Sequence, residues 1–380
     1  MKQKWEYKKL GDVCDVVMGQ SPASDTYNDS NGLPFFQGNA DFGKEHPNVR
    51  VYCNAPIKIA YPNDILISVR APIGAINIAD CECCIGRGLA AIRASSNISY
   101  RYIYRFLFAS KDKLISQGTG STFKSIGRSI LSSLPIPVPP LSEQQRIVAE
   151  LDLLTGIIDK QKAQLKELDT LAQSIFYDMF GDPIENPKGW EVKKISDVAT
   201  VKIGPFGSLL HAKDYVNGGH PVINPIHLNL GKIFADESFT VDDAMYEQMQ
   251  AYKLQLNDVV FGRRGDIGRC ALVEKGQEGY LCGTGSLFVR FNEIINPTFS
   301  IAALMHESIT DYLVKKAKGA TMLNINCGIV EDIPIILPPL ALQQSFADKI
   351  QSIERQKLAI KTSIADTQKL LDYTMDKYFG

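Results

Sequence analysis

Positions 151, 154, 158, 161, 165, 168, 172, 175 and 179 step by threes and fours and read Leu, Leu, Ile, Gln, Leu, Leu, Ala, Ile, Met, eight of nine apolar. Such stepping is a heptad seam and predicts one long helix over 141–181. It returns from 350 to 378 as Ile, Ile, Lys, Ile, Ile, Thr, Leu, Thr, Tyr, six of nine apolar. The seam side chains are Leu151, Leu154, Ile158, Leu165, Leu168 and Ile175 in the first helix, and Ile350, Ile353, Ile360, Ile364 and Leu371 in the second. Each helix follows a proline run, LPIPVPPLSEQQRIVAEL at 134–151 and IPIILPPLALQQSFADKI at 333–350. Prolines fix φ and are expected to end any strand there, setting how the chain hands over to its helix. Ser142 with Gln145 predicts a capping box, weaker in the second copy where Ala341 replaces the serine, and Gly181 before Pro183 predicts the first helix's stop. Elsewhere, short apolar runs such as IKIA, DILISV, AINIA, VVFG and CALVE lie between Gly, Pro and Asn and predict short strands. Residues 100–118 and 298–319 each predict one helix.

The helices are one part of a larger duplication. At an offset of 199, residues 135–181 align without a gap on 334–380, with Gln144-Gln145 falling on Gln343-Gln344. Further back the offset shrinks, as insertions in loops would make it. WEYKKLGDV at 5–13 matches WEVKKISDV at 190–198, NDILISVRAPIG at 63–74 matches NDVVFGRRGDIG at 257–268, and Gly86-x-Gly88 matches Gly283-x-Gly285. A period near 190 residues is domain duplication, since solenoid repeats run to 20–50. The chain is thus read as a globular head (1–135), a helix (136–181), a second head (182–333) and a second helix (334–380). The expected fold class is α+β, with two tandem heads and two long helices pairing as an antiparallel coiled coil about a pseudo-two-fold axis.

Charge adds an asymmetry. The whole chain carries a net −1, yet residues 1–140 hold 16 basic against 11 acidic side chains while residues 182–333 hold 15 against 19. The sequence MKQKWEYKKLGDV contains no apolar stretch of the kind that targets secretion, so a cytoplasmic chain with reduced cysteines and no membrane association is expected. Cys81, Cys83 and Cys84 have no second pair at zinc-finger spacing, so no metal is expected. No catalytic constellation emerges. GPFGSLLHAK at 204–213 lacks phosphate-loop spacing, and neither H-E-x-x-H nor G-x-S-x-G occurs. Glu191 and Lys193 could be stretched into a nuclease signature, but they recur as Glu6 and Lys8, where a surface strand is the plain explanation. Duplicated heads without catalysis suggest a binding protein.

Polar side chains gather in loops between recurring glycines, where phosphate and base-edge contacts are commonly made. In the first head these are Gln20, Ser21, Gln37, Asn39, Lys44, Arg70, Arg87, Thr122, Lys124 and Arg128. In the second they are Ser208, Asn224, His227, Arg263, Arg264, Lys316, Lys318, Thr321 and Asn324. Taken as a set they favour a nucleic acid as partner, with a protein-binding scaffold as the alternative.

The duplicated W-E-x-K-K-[LI]-x-D-V, D-[IV]-[LV]-x-x-x-R-x-x-I-G, G-[SA]-T and P-P-L-x-x-Q-Q, in that order, resemble the specificity subunit of type I restriction-modification systems over the whole chain. The resemblance implies two target recognition domains, each reading half of an asymmetric bipartite DNA sequence. It implies helices that set the half-site spacing and dock two methyltransferase subunits, and further restriction-translocase subunits. It also implies no cofactor in this chain, with S-adenosylmethionine, ATP and Mg2+ used by the partners in adenine methylation and cleavage. Ala341-Leu342 in place of Ser142-Glu143, and Thr284 in place of Arg87, argue against identical surfaces and so against a palindrome.

Overall fold

The computed structural model describes residues 5–119, 124–205, 209–317 and 323–380. The chain forms two compact units, residues 1–163 with 361–380 and residues 164–360. The division falls inside the long helices, so each unit holds a head, the first half of the helix that follows it, and the second half of the other helix.

In the first unit, β1 (Cys14–Met18), β2 (Ile65–Ser68), β3 (Ile76–Ile78) and β4 (Leu89–Ala94) form an antiparallel sheet in the order β1-β4-β2-β3. Ile65, Ile67, Ala90 and Ile92 send one face of it into a core with Tyr102, Ile103 and Phe106 of α1 (Tyr100–Ala109). The other face, with Leu66, Leu89 and Ala91, meets Phe36, Ala60, Cys83 and Ile85 of a second sheet. Both faces are covered, and so the central strands β2 and β4 are buried on both sides over Ile65–Ser68 and Leu89–Ile92.

The second unit repeats the plan. β5 (Ala199–Ile203), β6 (Val259–Gly262), β7 (Cys270–Leu272) and β8 (Ser286–Phe291) take the equivalent order β5-β8-β6-β7. Its second sheet is smaller, three strands against five in the first unit. The stretches expected to be one helix at 100–118 and 298–319 each break in two. α1 stops before Ser110 and Lys111–Ser116 follows; α3 (Pro297–Leu304) stops before His306, whose ring nitrogen caps Glu307–Lys316 by accepting from Ser308 N.

The long helices run over Leu141–Phe180 (α2) and Leu340–Phe379 (α4), 40 residues each. In the first unit Arg146 donates to Tyr378 Oη at 3.0 Å and Gln161 Nε2 to Ser363 Oγ at 2.7 Å, so the two helix segments run antiparallel. In the second, Lys357 Nζ lies 2.7 Å from Asp169 Oδ1, and the rings of Phe176 and Phe346 lie 5.6 Å apart, again antiparallel. Leu151, Leu154, Ile158, Ile353 and Leu371 are buried, while Leu165, Leu168, Ile175, Ile350, Ile360 and Ile364 are half-buried. The far end of each helix also plugs a head. Phe180 packs at 4.8 Å from Phe299 in the second unit, and Phe379 at 5.3 Å from Tyr102 in the first.

Two expectations about the proline runs need correction. They do not end a strand but are one: Pro135–Pro137 pairs with Tyr7–Lys9, and Pro334–Leu337 with Glu191–Lys194. Val138 N donates to Glu6 O and Leu10 N to Leu134 O, so ladder bonds fall on even positions and the prolines at 135 and 137 sit where no donor is needed. Nor does Ser142 cap α2, which starts one residue earlier with Glu143 N and Gln144 N both donating to Pro140 O.

The start of the helix is anchored instead by a buried glutamine. Gln144, fully buried, accepts from Ser99 N through Oε1 and donates from Nε2 to Pro139 O and Asn97 O. Gln343 does the same with Asn296 N, Pro338 O and Ile294 O. One side chain therefore ties the proline strand, the first helical turn and the loop before the head's last helices. That is the physical content of the repeated P-P-L-x-x-Q-Q.

Candidate nucleic-acid interface

The glycine-rich loops of the first head, far apart in sequence, meet at the N-terminal end of β4. Gly19 N donates to Leu89 O at 2.9 Å and Gln20 N to Ile85 O at 3.0 Å. Gly86 N donates to Phe36 O, Val69 N to Gly88 O, and Ile126 N to Val69 O. These bonds gather residues 19–21, 36–39, 69–74, 86–88 and 124–128, with Thr119 and Ser125 joined by a reciprocal pair of backbone bonds. Of the expected contacts, Gln20, Gln37, Arg70, Arg87, Lys124 and Arg128 are exposed there, with Ser21 and Asn39 half-buried. Arg128 lies 3.6 Å from Asp15. Thr122 lies outside the described residues.

The turn at 37–41 is held rigidly. Asp41, 8% exposed, accepts from Gln37 N at 2.7 Å and Gly38 N at 3.2 Å, and Arg50 closes on its other oxygen. A second buried carboxylate supports β2 and β4. Asp64 accepts from Tyr61 N and makes a two-pronged pair with Arg93 at 3.0 and 2.8 Å, and Asn63 before it takes the left-handed φ of 72°. Asp258, Arg290 and Asn257 repeat this in the second head, at 2.8 and 2.6 Å and a φ of 70°. The shared N-D of the two sequences is therefore a structural ion pair with its turn. Repetition at fixed offset is the signal the sequence offers for it, and it marks scaffold, not contact.

The second head assembles the same edge. Gly204 N donates to Ser286 O, Gly283 N to Ile223 O, Arg263 N to Gly285 O and Ile325 N to Arg263 O. Arg264 is exposed on it, and Asn224 is half-buried with its amide donating to Tyr215 Oη at 3.1 Å. Asn324 is half-buried, and its Oδ1 has no partner among the described residues. Lys316 is exposed, 5.8 Å over the Tyr312 ring. Ser208, Lys318 and Thr321 lie outside the described residues.

Two expected contacts turn inward, Arg263 half-buried and His227 buried. Arg263 bends its guanidinium onto Ile325 O at 3.3 Å and Thr284 O at 3.5 Å, and burial beside Arg264 lowers its pKa. Its counterpart in the first head is the buried Val69, so the position faces inward and the arginine follows it. His227 is 4% exposed; its Nδ1 accepts from Asn224 N at 3.1 Å and its ring meets Phe239 edge-on at 5.0 Å. Burial pushes its pKa below the ordinary 6.5, so the ring is neutral.

Lys44, expected at the DNA, departs from the loop edge altogether. It lies 2.8 Å from Asp159 on α2, which favours the charged ammonium. Its counterpart Lys232 lies 3.3 Å from Glu354 on α4 and 3.8 Å from Glu274. The repeated Gly-Lys at 43–44 and 231–232 thus braces each head on the helix that follows it. Glu191 and Lys193 sit 3.2 Å apart on an exposed strand face, as Glu6 and Lys8 do at 3.6 Å.

Comparison with known proteins agrees with the duplication. The family model described as the type I restriction modification DNA specificity domain matches residues 2–170 and again 187–367. The putative type I restriction enzyme MjaX specificity subunit of Methanocaldococcus jannaschii is 38% identical over 177 residues, 46% of this chain and 42% of that protein. The chain thus spans less than half the length of that relative. The MjaIX specificity subunit of the same organism is 24% identical over 98% of the chain and 92% of its own length. The crystal structure of the S subunit of a type I restriction-modification system from M. genitalium covers 99% of this chain and 96% of that one at a TM-score of 0.57 and 14% identity, a likeness of fold alone. No helix among the described residues is long and apolar enough to cross a membrane.

Proposed function

Since the chain belongs to the type I restriction modification DNA specificity family, we propose that it is the DNA-reading subunit of a type I complex and catalyses nothing itself. Each head reads one half of an asymmetric bipartite site on double-stranded DNA. The carrying observation is the duplicated loop edge: one backbone framework twice, with different exposed side chains each time. Around it, Arg70, Lys124 and Arg128 in the first head, and Arg264 and Lys316 in the second, supply the positive charge that a phosphate backbone requires. This local concentration answers the acidic balance of the second head.

The helices set the spacing between half-sites. Forty helical residues extend for roughly 60 Å, and the buried glutamine clamps fix how each head meets the helix that follows it. Leu153, Leu171, Tyr177, Leu370 and Tyr373 stand exposed along the helices, and exposed apolar side chains support protein docking there. The partners are methyltransferase subunits, two per chain, which use S-adenosylmethionine to methylate adenine, and restriction-translocase subunits, which use ATP and Mg2+. The assembly works in the cytoplasm.

The test is the methylome of cells carrying this chain with its methyltransferase subunit. A bipartite methyladenine motif with two unrelated halves is expected. Its absence, with both proteins expressed and assembled, overturns the reading and leaves a protein-binding scaffold as the better one.

A further inference from the structure

The loop edge contains a feature that the family resemblance does not supply. The glycines are required by close approach, of backbone in the first head and at Gly204, and of the Asn224 and Pro225 side chains at Gly283 and Gly285. A Cβ on Gly19 would lie 2.2 Å from Gly86 O, and one on Gly88 would lie 2.3 Å from Gln37 O. In the second head a Cβ on Gly204 would lie 1.9 Å from Gly283 O, one on Gly283 would lie 2.2 Å from Asn224 Oδ1, and one on Gly285 would lie 2.9 Å from Pro225 Cδ. Each G-x-G loop is therefore pressed against the turn beginning at Gln37 or Asn224. Neither approach leaves room for a side chain.

What stands at the variable places in this cradle differs. In the first head they are Arg87, between the two glycines, and Gln37, at the start of the opposing turn. Both side chains are exposed, and neither makes a side-chain hydrogen bond or ion pair among the described residues. Their backbones are nevertheless fixed, Arg87 N by Ser21 Oγ at 3.3 Å and Gln37 N by Asp41 at 2.7 Å. In the second head the same places hold Thr284 and Asn224, both half-buried. The Asn224 amide is already committed to Tyr215.

We infer that in the first head Arg87, between the two glycines, and Gln37, at the head of the opposing turn, form a two-residue base-reading position that reads a guanine and a neighbouring adenine. The inference rests on the DNA-reading role proposed above. A planar guanidinium matches guanine O6 and N7, and a planar amide matches adenine N6 and N7. A rigid backbone carrying two adjacent unpaired planar groups suits such bidentate hydrogen bonding, because little backbone entropy is lost on binding. The smaller Thr284 and Asn224 cannot reach as far, so the second half-site is read differently.

The experiment is methylome sequencing of cells expressing the chain, as wild type, Arg87→Ala, Arg87→Lys or Gln37→Ala, with its methyltransferase subunit. Each alanine variant should relax one position of a single half-site, with the other half and the spacer unchanged. Removing one good bidentate pair of hydrogen bonds to a base should lower discrimination at that position roughly ten- to hundredfold. Arg87→Lys should keep more guanine preference than Arg87→Ala. Should a variant complex methylate nothing, its affinities for the wild-type site and for non-specific duplex are compared. Equal weakening on both marks a phosphate contact and overturns the inference. An unchanged motif in both alanine variants, or a change in both half-sites, overturns it too. A wild-type chain that writes no bipartite motif overturns the DNA-reading role itself, a failure seen before any variant is made.

Discussion

The first head holds the turn at Gln37 with a charged carboxylate, Asp41, locked to Arg50; the second holds the turn at Asn224 with a neutral, buried imidazole, His227. The backbone groups being held are equivalent, but the chemistry holding them is not. By contrast, the Asp-Arg pairs under the central sheets and the glutamine clamps at the helix starts are the same in both, bond for bond. Duplication has therefore preserved what fixes the sheet and its helix and has let the loop edge diverge. A protein that must present two different surfaces from one framework is expected to divide in this way.

The comparison breaks most readily at the buried carboxylates. Asp64 and Asp258 are 2% and 1% exposed, and removing either strands a partly buried arginine and a backbone donor. Asp64→Ala and Asp258→Ala should each destabilise their own unit by about 3 kcal/mol, measured by denaturant melts. Costs that differ by more than about twofold between them would show that the scaffolds are less equivalent than their bonds suggest. Gln144→Ala and Gln343→Ala come next, at about 2 kcal/mol each, because a buried donor and two acceptors lose their partner. They should also loosen the helix start, read as faster amide exchange at residues 97–99 and 294–296.

How much of this the sequence carries depends on the kind of residue. The long helices, the duplication and the seam are legible because a heptad pattern and a fixed offset of 199 are properties of the chain alone. The convergence of the loops is not, since hydrogen bonds such as Val69 N to Gly88 O join residues that no local pattern links. Arg263-Arg264 has the look of a basic patch, yet strand alternation continues one residue past β6 and turns the first arginine inward. Ser142 has the chemistry of a cap and does not serve as one. The helix start is anchored by the buried Gln144, which ties it to Ser99, Asn97 and Pro139, and a glutamine four residues into a helix carries no local signal of that role.

Acid separates the two heads more gently. Burial lowers the pKa of His227 below the ordinary 6.5. Above that value the ring is neutral in both folded and unfolded chain and contributes no pH dependence. As pH falls through 6.5 the unfolded chain takes up the proton more readily, so the second unit loses stability progressively down to the folded pKa. Protonation would also abolish the acceptor that holds Asn224 N. Unfolding of the second unit should therefore move to lower temperature between pH 7 and 5, and His227→Gln should flatten that dependence. An unchanged slope in the variant would transfer the effect to other groups.

The smallest effects are expected at the lysine braces, and they rank the two heads in a way that burial alone predicts. Lys44 and Asp159 make a short pair, but its lysine side chain is 85% exposed. Water and salt screen such a pair, so Lys44→Ala should leave the unfolding midpoint unchanged. Lys232 is 44% exposed and lies between Glu354 and Glu274, so Lys232→Ala should cost a few tenths of a kcal/mol, about 1 at most, and the difference should vanish in molar salt. If the order were reversed, with Lys44 the more costly loss, the brace in the first head would be acting through something other than its ion pair. The head-to-helix junction would then be held by packing around residues 43–45, and the spacer length of the recognised site, not stability, would be the quantity to measure in the Lys44→Ala complex.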